Sequence, residues 1–187
     1  MELIVFDLDG TLLDRAGAIS DYTRDTLASL AGMGVAYTVA TGRTLHASRD
    51  LLAPHGFRLP QVFKNGVMIW HPDDDRYTHQ NFLTLAEIDH VLEAILAQDI
   101  TPFVFTFEPG NVHRVYHPPL RHEVEKNLAA LFARRSGVDI RPASELPADA
   151  EISSISAIGA PGPVGAVATL VESEPNLVAF SGHALEG

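Results

Sequence analysis

The sequence predicts an α/β protein in which a parallel sheet is followed by a second domain of the α+β class. Two apolar strands, at residues 3–6 and 35–40, are separated by a stretch with helical periodicity, and a further helical stretch follows. Strands and helices that alternate at this spacing are typical of a parallel sheet with right-handed crossovers. From about residue 83 the chain changes to a helix, a hairpin and further helices and strands, which is typical of an α+β layer on an antiparallel sheet.

The composition excludes several classes of protein. With 46% hydrophobic residues the chain is globular rather than disordered, and its 187 residues can form a sizeable core. A formal charge of −11 argues against a nucleic-acid binder, because so few Lys and Arg cannot form a basic face. The absence of cysteine excludes disulfides and a thiolate zinc site. No apolar segment approaches membrane-spanning length, and Glu2 leads directly into a strand, unlike a signal peptide, so we expect a cytoplasmic protein.

Two aspartates follow the first strand. Residues 3–6 are a continuous apolar run, which predicts a strand buried on both faces, and Gly10 then turns the chain. Asp7 and Asp9 fall on the same side of the chain at the carboxyl end of the strand, where open α/β sheets bind ligands. Two carboxylates this close repel one another unless a cation lies between them, and their oxygens suit Mg²⁺. A bare D-x-D would indicate an acidic turn, but D-L-D-G-T-L-L after an N-terminal strand favours a functional site.

A second polar cluster follows the strand at residues 35–40. Thr41, Gly42 and Arg43 come directly after it, and a helix is predicted over residues 44–53. The free N–H groups and the dipole at a helix N-terminus attract phosphate. Thr41 adds a hydroxyl, Gly42 permits close approach of the backbone, and Arg43 adds a permanent charge. The alternative interpretation is an ordinary helix start.

The remaining elements are predicted from turn and capping signals. Asn65-Gly66 indicates a hairpin within residues 62–70, and an acidic loop tip follows. Thr84 and Glu87 form a capping box at the start of a helix. Strands are predicted at residues 101–107, 112–117, 152–158 and 176–181, with a turn at 109–111 and helices at 121–135 and 163–174.

The segment Asp7-Leu8-Asp9-Gly10-Thr11 resembles the first motif of the haloacid-dehalogenase-type phosphohydrolases. The resemblance implies a Rossmann-like core in which Asp7 is the nucleophile and forms an aspartyl-phosphate. It also implies that Asp9 is the general acid/base, and that Asp7 and the main-chain carbonyl of Asp9 are metal ligands for Mg²⁺. An Asp two residues after the nucleophile is typical of the phosphatases of this family rather than of its dehalogenases.

Ala40-Thr41-Gly42-Arg43 is similar to the second motif of the Cof-type subgroup, also called subfamily IIB. This resemblance implies that Thr41 binds the transferring phosphoryl group together with the N–H groups of Leu8 and Gly42, and Arg43 is expected to add its charge. It also implies that a large α/β cap domain is inserted after the second motif. In Cof-type proteins an Asn-Gly pair at this point lies close to the active site, so Asn65 is a further candidate for binding the phosphate. A simple turn former is the alternative for Asn65.

The resemblance covers only the first two of the four motifs of the family, which are the N-terminal ones. The third motif supplies a Lys and the fourth supplies acidic metal ligands, and both follow the cap. The chain has only two lysines, Lys64 and Lys126, which are not placed for that role, and no G-D-x-x-x-D occurs after residue 140. We therefore expect an incomplete core at residues 1–82 and a cap at residues 83–187, without the C-terminal part of the core. The first strand would then form an exposed apolar edge, so we expect either self-association through this edge or that the 187 residues are part of a longer polypeptide.

The expected function is that of a Mg²⁺-dependent phosphatase acting on small phosphorylated metabolites such as sugar phosphates. Two alternatives remain open. The chain could be a catalytically incompetent fragment or binding domain that retains the fold, or it could be a phosphomutase. No nucleic-acid or membrane partner is expected.

Overall fold

The structure, a computed structural model, describes residues 3–108, 112–134 and 138–180. The chain divides into two compact units, Met1–Asn81 and Phe82–Gly187. That the first unit is a catalytic core and the second a cap remains a prediction. None of the helices in the described part of the chain is long and apolar enough to cross a membrane.

The first unit begins with strands that share one direction. β1 (Leu3–Phe6) pairs in parallel with β2 (Ala36–Val39) along its whole length. β3 (Gln61–Phe63) joins the end of β2 through a parallel bridge between Ala40 and Val62. The carboxyl ends of these three strands therefore lie at the same edge.

The other elements of the first unit follow from local signals. α1 (Asp21–Gly32) lies between β1 and β2 and begins where the hydroxyl of Ser20 accepts the N–H of Thr23 at 3.2 Å. β3 continues antiparallel into β4 (Met68–His71), which confirms the hairpin predicted from Asn65-Gly66. β4 pairs antiparallel with β5 (Arg76–Gln80).

The prediction that the first strand is buried on both faces is wrong. Leu3 is 52% exposed and Val5 is 53% exposed, and both lie on the same face of β1. On the other face the ring of Phe6 contacts the ring of Tyr37, with ring centroids 6.5 Å apart. An apolar run shows that a strand can be buried, but burial also needs an element to pack over it, and no described element covers the face of Leu3 and Val5.

The helix predicted over residues 44–53 is also wrong in its extent. α2 spans only Arg49–Leu52, and a short 3₁₀ turn at Ala53–His55 follows. The hydroxyl of Thr44 accepts the N–H of Ala47 at 3.2 Å, and the N–H groups of Ser48 and Arg49 both donate to the carbonyl oxygen of Leu45, so turns precede α2. No helix N-terminus therefore lies directly after Thr41.

The elements of the second unit are α3 (Leu85–Ala97), β6 (Phe103–Glu108), β7 (Val112–His117), α4 (Glu123–Ala133), β8 (Val138–Pro142), β9 (Ile152–Ser156) and α5 (Pro161–Glu172). The four strands form a sheet in the order β8-β7-β6-β9. β6 is antiparallel to both of its neighbours, whereas β7 and β8 are parallel, so the sheet is mixed and not antiparallel as predicted. β8 was not predicted, although the alternation in Val138-Asp139-Ile140-Arg141 is a strand signal and Pro142 suits an edge.

Apolar clusters cover both faces of this sheet. On one face Val104 and Tyr116 pack in a buried cluster with Ile88 of α3. On the other face Phe103 and Val115 pack with residues of α4, Ala129 and Phe132. The capping box predicted at the start of α3 is confirmed, because the backbone N–H of Thr84 donates to Glu87 Oε2 at 2.7 Å.

The strand predicted at residues 176–181 is wrong for its described part. Residues 176–180 form no strand, and Val178 and Phe180 are exposed. Ser181, the turn predicted at residues 109–111 and the predicted helix end at Arg135 lie outside the described residues.

Candidate active site

The candidate site lies at the edge where β1, β2 and β3 end. The N–H of Ala40 donates to the carbonyl oxygen of Phe6 at 2.8 Å, and the N–H of Thr41 donates to the carbonyl oxygen of Val62 at 3.0 Å. These bonds hold the three strand ends in line. The loops that carry Asp7, Thr41 and Asn65 therefore start side by side, as expected for a ligand site of an open α/β sheet.

Asp7 and Asp9 occupy a tight turn after β1. Asp7 still has extended backbone angles, and Gly10 has a φ of +76°, which glycine adopts without strain. Leu8 is fully buried, and its carbonyl oxygen accepts the N–H of Leu13 at 2.9 Å. The turn is thus anchored by an apolar side chain while Asp7 and Asp9 stay exposed.

Arg43 reaches across to Asp9. Its Nε donates to Asp9 Oδ2 at 2.9 Å and one terminal nitrogen donates to Asp9 Oδ1 at 2.7 Å, a two-pronged ion pair. The hydrogen bond to Asp9 raises the pKa of Arg43, and the charges of Asp9 and then Asp7 add to this against desolvation. The guanidinium therefore remains charged and neutralises part of the acidic charge of the site.

Hydrogen bonds of Thr41 and Asn65 join the loop after β2 to the loop after β3. The buried hydroxyl of Thr41 accepts the N–H of Arg43 at 3.2 Å, and the carbonyl oxygen of Thr41 accepts the N–H of Asn65 at 3.2 Å. A Cβ at Gly42 would lie only 3.0 Å from Asn65 Oδ1, so a glycine lets the Asn65 amide approach this closely. Asn65 is therefore more than a distant turn residue, because its side chain lies against the second motif.

The loop after β3 has an unusual backbone. Lys64 and Asn65 have φ values of +51° and +54°, and Gly66 has a φ of +99°. Non-glycine residues in this region cluster at functional sites. Sequence reasoning set Lys64 aside, but the structure places it directly after β3, where its N–H donates to the carbonyl oxygen of Arg43 at 3.0 Å.

The described residues supply only some of the ligands that a magnesium site needs. The carboxylates of Asp7 and Asp9 have the oxygen chemistry that Mg²⁺ prefers, but the Asp9 carboxylate is bound by Arg43. Within residues 3–108, 112–134 and 138–180, no group of three or more His, Asp or Glu residues could hold a metal ion. The described residues therefore form an incomplete set of ligands.

The family model described as haloacid dehalogenase-like hydrolase matches residues 4–173. The chain belongs to this family. The match confirms the resemblance inferred from the two motifs and the predicted α/β class.

Individual relatives are similar over part of their length. A 5-amino-6-(5-phospho-D-ribitylamino)uracil phosphatase of Bacillus subtilis is 36% identical over 113 residues, which is 60% of this chain and 38% of that protein. A haloacid dehalogenase-like hydrolase of B. subtilis has a TM-score of 0.68 at 21% identity and covers 92% of this chain and 67% of its own. A solved subclass IIB sugar phosphatase has a TM-score of 0.65 at 16% identity. The match covers 90% of this chain and 63% of the sugar phosphatase. At these identities the solved structures show the fold alone.

Proposed function

We propose that the chain forms part of a Mg²⁺-dependent phosphatase that hydrolyses small phosphorylated metabolites through an aspartyl-phosphate. The observation that carries this proposal is the meeting of Asp7, Asp9, Thr41 and Arg43 at the carboxyl edge of three parallel strands. Carboxylates can accept a phosphoryl group covalently, and a hydroxyl, backbone N–H groups and a guanidinium can hold its oxygens. The chain spans 38% of the curated relative and about two thirds of the solved structures, so the activity of the whole protein is itself a proposal.

The proposed reaction has two steps. In the first, an oxygen of Asp7 bonds to phosphorus, the ester P–O bond breaks, and Asp9 gives its proton to the leaving oxygen. In the second, Asp9 takes a proton from water, whose oxygen attacks phosphorus and releases Asp7 and inorganic phosphate. Thr41, Arg43 and the N–H groups of Leu8 and Gly42 hold the phosphoryl oxygens, and the Asn65 amide adds a donor beside Gly42.

Phosphatases of this superfamily generally use Mg²⁺, which supplies positive charge for the phosphoryl oxygens. By resemblance, Asp7 and the main-chain carbonyl of Asp9 would hold it, and the described residues supply no third acidic group.

We propose sugar phosphates and chemically similar esters as the substrate class. One relative is named for a phosphorylated ribityl compound, and one similar structure is described as a sugar phosphatase. The second unit is proposed to be the cap that excludes water and selects the substrate.

Phosphate release from a panel of phosphate monoesters, with Mg²⁺ and with EDTA, tests the proposal. It should be measured on the 187-residue chain and, where the gene continues past residue 187, on the longer product. We expect little release from the 187-residue chain itself, and from the longer product release that needs Mg²⁺ and is lost in Asp7→Asn. Asp50→Asn is the matched control, because it removes an exposed carboxylate from α2 of the same unit. Turnover that persists in Asp7→Asn would contradict the nucleophile assignment.

A second candidate is a domain that binds phosphate esters without turnover. The incomplete set of acidic ligands among the described residues favours it. Binding of esters by the 187-residue chain, with no release under any metal condition, would support this candidate.

A further inference from the structure

The ion pair between Asp9 and Arg43 occupies two groups that the proposed reaction needs elsewhere. Arg43 follows β2 and Asp9 follows β1, and two hydrogen bonds of 2.9 Å and 2.7 Å join them. In the reaction Arg43 binds the phosphoryl oxygens and Asp9 exchanges a proton with the leaving oxygen. Neither group is in position for its task while they bind each other.

A phosphoryl group can compete directly for the bonds that Asp9 makes. The planar guanidinium presents its N–H donors as a fork that matches a carboxylate and a phosphate in the same bidentate way. Asp9 uses Nε and a terminal nitrogen, which form one such fork. A phosphate that binds to Nε and the same terminal nitrogen of Arg43 therefore has to displace the Asp9 carboxylate.

The surroundings allow the side chain of Arg43 to change partner while its backbone stays fixed. The N–H of Arg43 is bound to Thr41 Oγ1, and its carbonyl oxygen is bound by the N–H of Lys64. The side chains of Asp9 and Arg43 are 61% and 31% exposed, and ion pairs this exposed to water are weak. A doubly charged phosphate is thus able to replace one carboxylate.

We propose that the Asp9–Arg43 pair holds the free site in a resting state that a phosphoryl group opens. The phosphoryl group takes Arg43, and the released Asp9 carboxylate takes up a proton from the solvent and turns toward the leaving oxygen. Arg43 therefore positions the proposed acid/base, Asp9, by holding it until phosphate binds. This inference rests on the proposed function. If Arg43 served only to neutralise Asp9, the pair would persist when phosphate binds.

The test measures phosphate binding rather than turnover. Inorganic phosphate is titrated into the 187-residue chain in EDTA at constant ionic strength, and the amide signals of Thr41 and Gly42 are followed by NMR. Four proteins form a cycle: the wild type, Asp9→Asn, Arg43→Lys, and the double variant. Lys keeps the positive charge but has no fork, so simple charge effects are the same in both backgrounds.

We expect Asp9→Asn to tighten phosphate binding more in the Arg43 background than in the Arg43→Lys background. The difference should be roughly fivefold, the size expected for a partly exposed ion pair. Asp7→Asn is the control, because it removes a nearby negative charge without removing a hydrogen-bond partner of Arg43, and it should tighten binding equally in both backgrounds. The Arg43 Nε–H signal should also move on phosphate addition in the wild type.

Equal tightening by Asp9→Asn in both backgrounds would overturn the inference and leave the proposed function standing. The absence of any phosphate-induced shift at Thr41 and Gly42 would overturn the inference and count against the proposed function as well. A coupled response in a protein that releases no phosphate from any ester would support the inference as a binding property and refute the proposed turnover.

Discussion

The two units of the chain differ in where they keep their charged groups. In the second unit Glu125 is buried, and its carboxylate accepts the N–H groups of Thr101, Arg121 and His122 at 3.0, 2.8 and 3.1 Å. In the first unit Asp7 and Asp9 are exposed at the end of a half-covered sheet. A saturated buried carboxylate stabilises a fold, whereas exposed carboxylates at a strand end remain available to a ligand.

The cover of the sheets differs as well, whereas backbone strain does not separate the units. The first unit holds Lys64 and Asn65 at positive φ beside the candidate site, but Asp99 of the second unit also has a φ of +56°. In the second unit Asp139 accepts hydrogen bonds from Arg141 at 2.9 Å and from Arg114 at 3.0 Å, and these bonds lower the pKa of Asp139. Apolar clusters cover both faces of the second unit's sheet, whereas Leu3 and Val5 leave one face of β1 open in the first unit.

The largest effect should come from Asp9, the proposed acid/base in the first unit. We expect Asp9→Asn to lower the rate of phosphate release by at least about 10²-fold for alkyl phosphates, because the leaving oxygen then receives no proton. For p-nitrophenyl phosphate the first step should be slowed much less, since that leaving group departs without protonation, although the second step still needs Asp9 to activate water. Single-turnover release of the alcohol or of p-nitrophenol measures the first step for both classes of ester, with Asp50→Asn as control. Equal losses in this first step for both esters would argue against a general-acid role.

The core of the second unit should dominate its stability. Phe103 is fully buried and contacts the ring of Phe132 at a centroid distance of 5.5 Å. We expect Phe103→Ala to lower the free energy of unfolding by about 3–5 kcal/mol. Urea unfolding followed by far-UV circular dichroism measures the loss, while fluorescence of the single tryptophan, Trp70, reports on the first unit.

The same substitution at Phe180, which is exposed, is the matched control. Phe180→Ala should change the free energy of unfolding by less than about 0.5 kcal/mol. A similar loss in both variants would mean that burial in the Phe103 cluster does not set the stability.

Glu125 should make the stability of the second unit depend on pH in the acidic range. Desolvation acts to raise the pKa of Glu125, but the N–H groups of Arg121, His122 and Thr101 together outweigh it and lower that pKa from its ordinary value of 4.5. The unfolded chain then binds the proton more readily than the folded chain. The contribution of Glu125 to the free energy of unfolding is therefore complete above pH 4.5 and is lost as the pH falls through the lower, folded pKa.

Glu125→Gln tests this sign. At neutral pH we expect a loss of about 1–3 kcal/mol in the free energy of unfolding, because a charged acceptor of three N–H groups is removed. At pH values below the folded pKa the wild type and the variant should converge. Glu93→Gln on the exposed face of α3 is the control and should leave both values unchanged. A difference that stays constant with pH would contradict the assignment to ionised Glu125.

These contrasts were only partly predictable from the sequence. Asp7, Asp9 and Thr41 could be placed at strand ends because an apolar run followed by a polar residue is a local pattern, and the capping box of Thr84 and Glu87 is equally local. The bond between Asp9 and Arg43 joins residues 34 positions apart, and no local pattern encodes it. α2 begins only at Arg49, after turns at residues 46–48, and this late start was not predicted.

The exposure of β1 was predicted from the family resemblance and not from the local pattern of the strand. The run from Leu3 to Phe6 suits a buried strand, but whether it is buried depends on what packs against it. β8 was missed although its residues alternate, and its place beside β7 comes from a parallel pairing that no hairpin signal marks. Local chemistry thus predicted the elements that carry the candidate site, and tertiary pairing decided their surroundings.

The smallest expected effect concerns the exposed face of β1, and it would sharpen the comparison of the two units. Among the described strands β1 pairs only with β2, and Leu3 and Val5 leave an apolar face open. Open strand edges and apolar faces recruit other chains, so we expect the 187-residue chain to self-associate through β1. Replacing Leu3 and Val5 together by Lys should shift the chain toward the 20.2 kDa monomer in light scattering.

Leu131 and Val178 of the second unit provide a control of the same residue types. Both are exposed, and their joint replacement by Lys adds the same charge to the other unit. If the second unit is the self-contained one, this control should leave the association unchanged. Equal dissociation by both pairs would mean that added charge alone separates the chains, and a wild type that is already monomeric would show that β1 recruits no second copy.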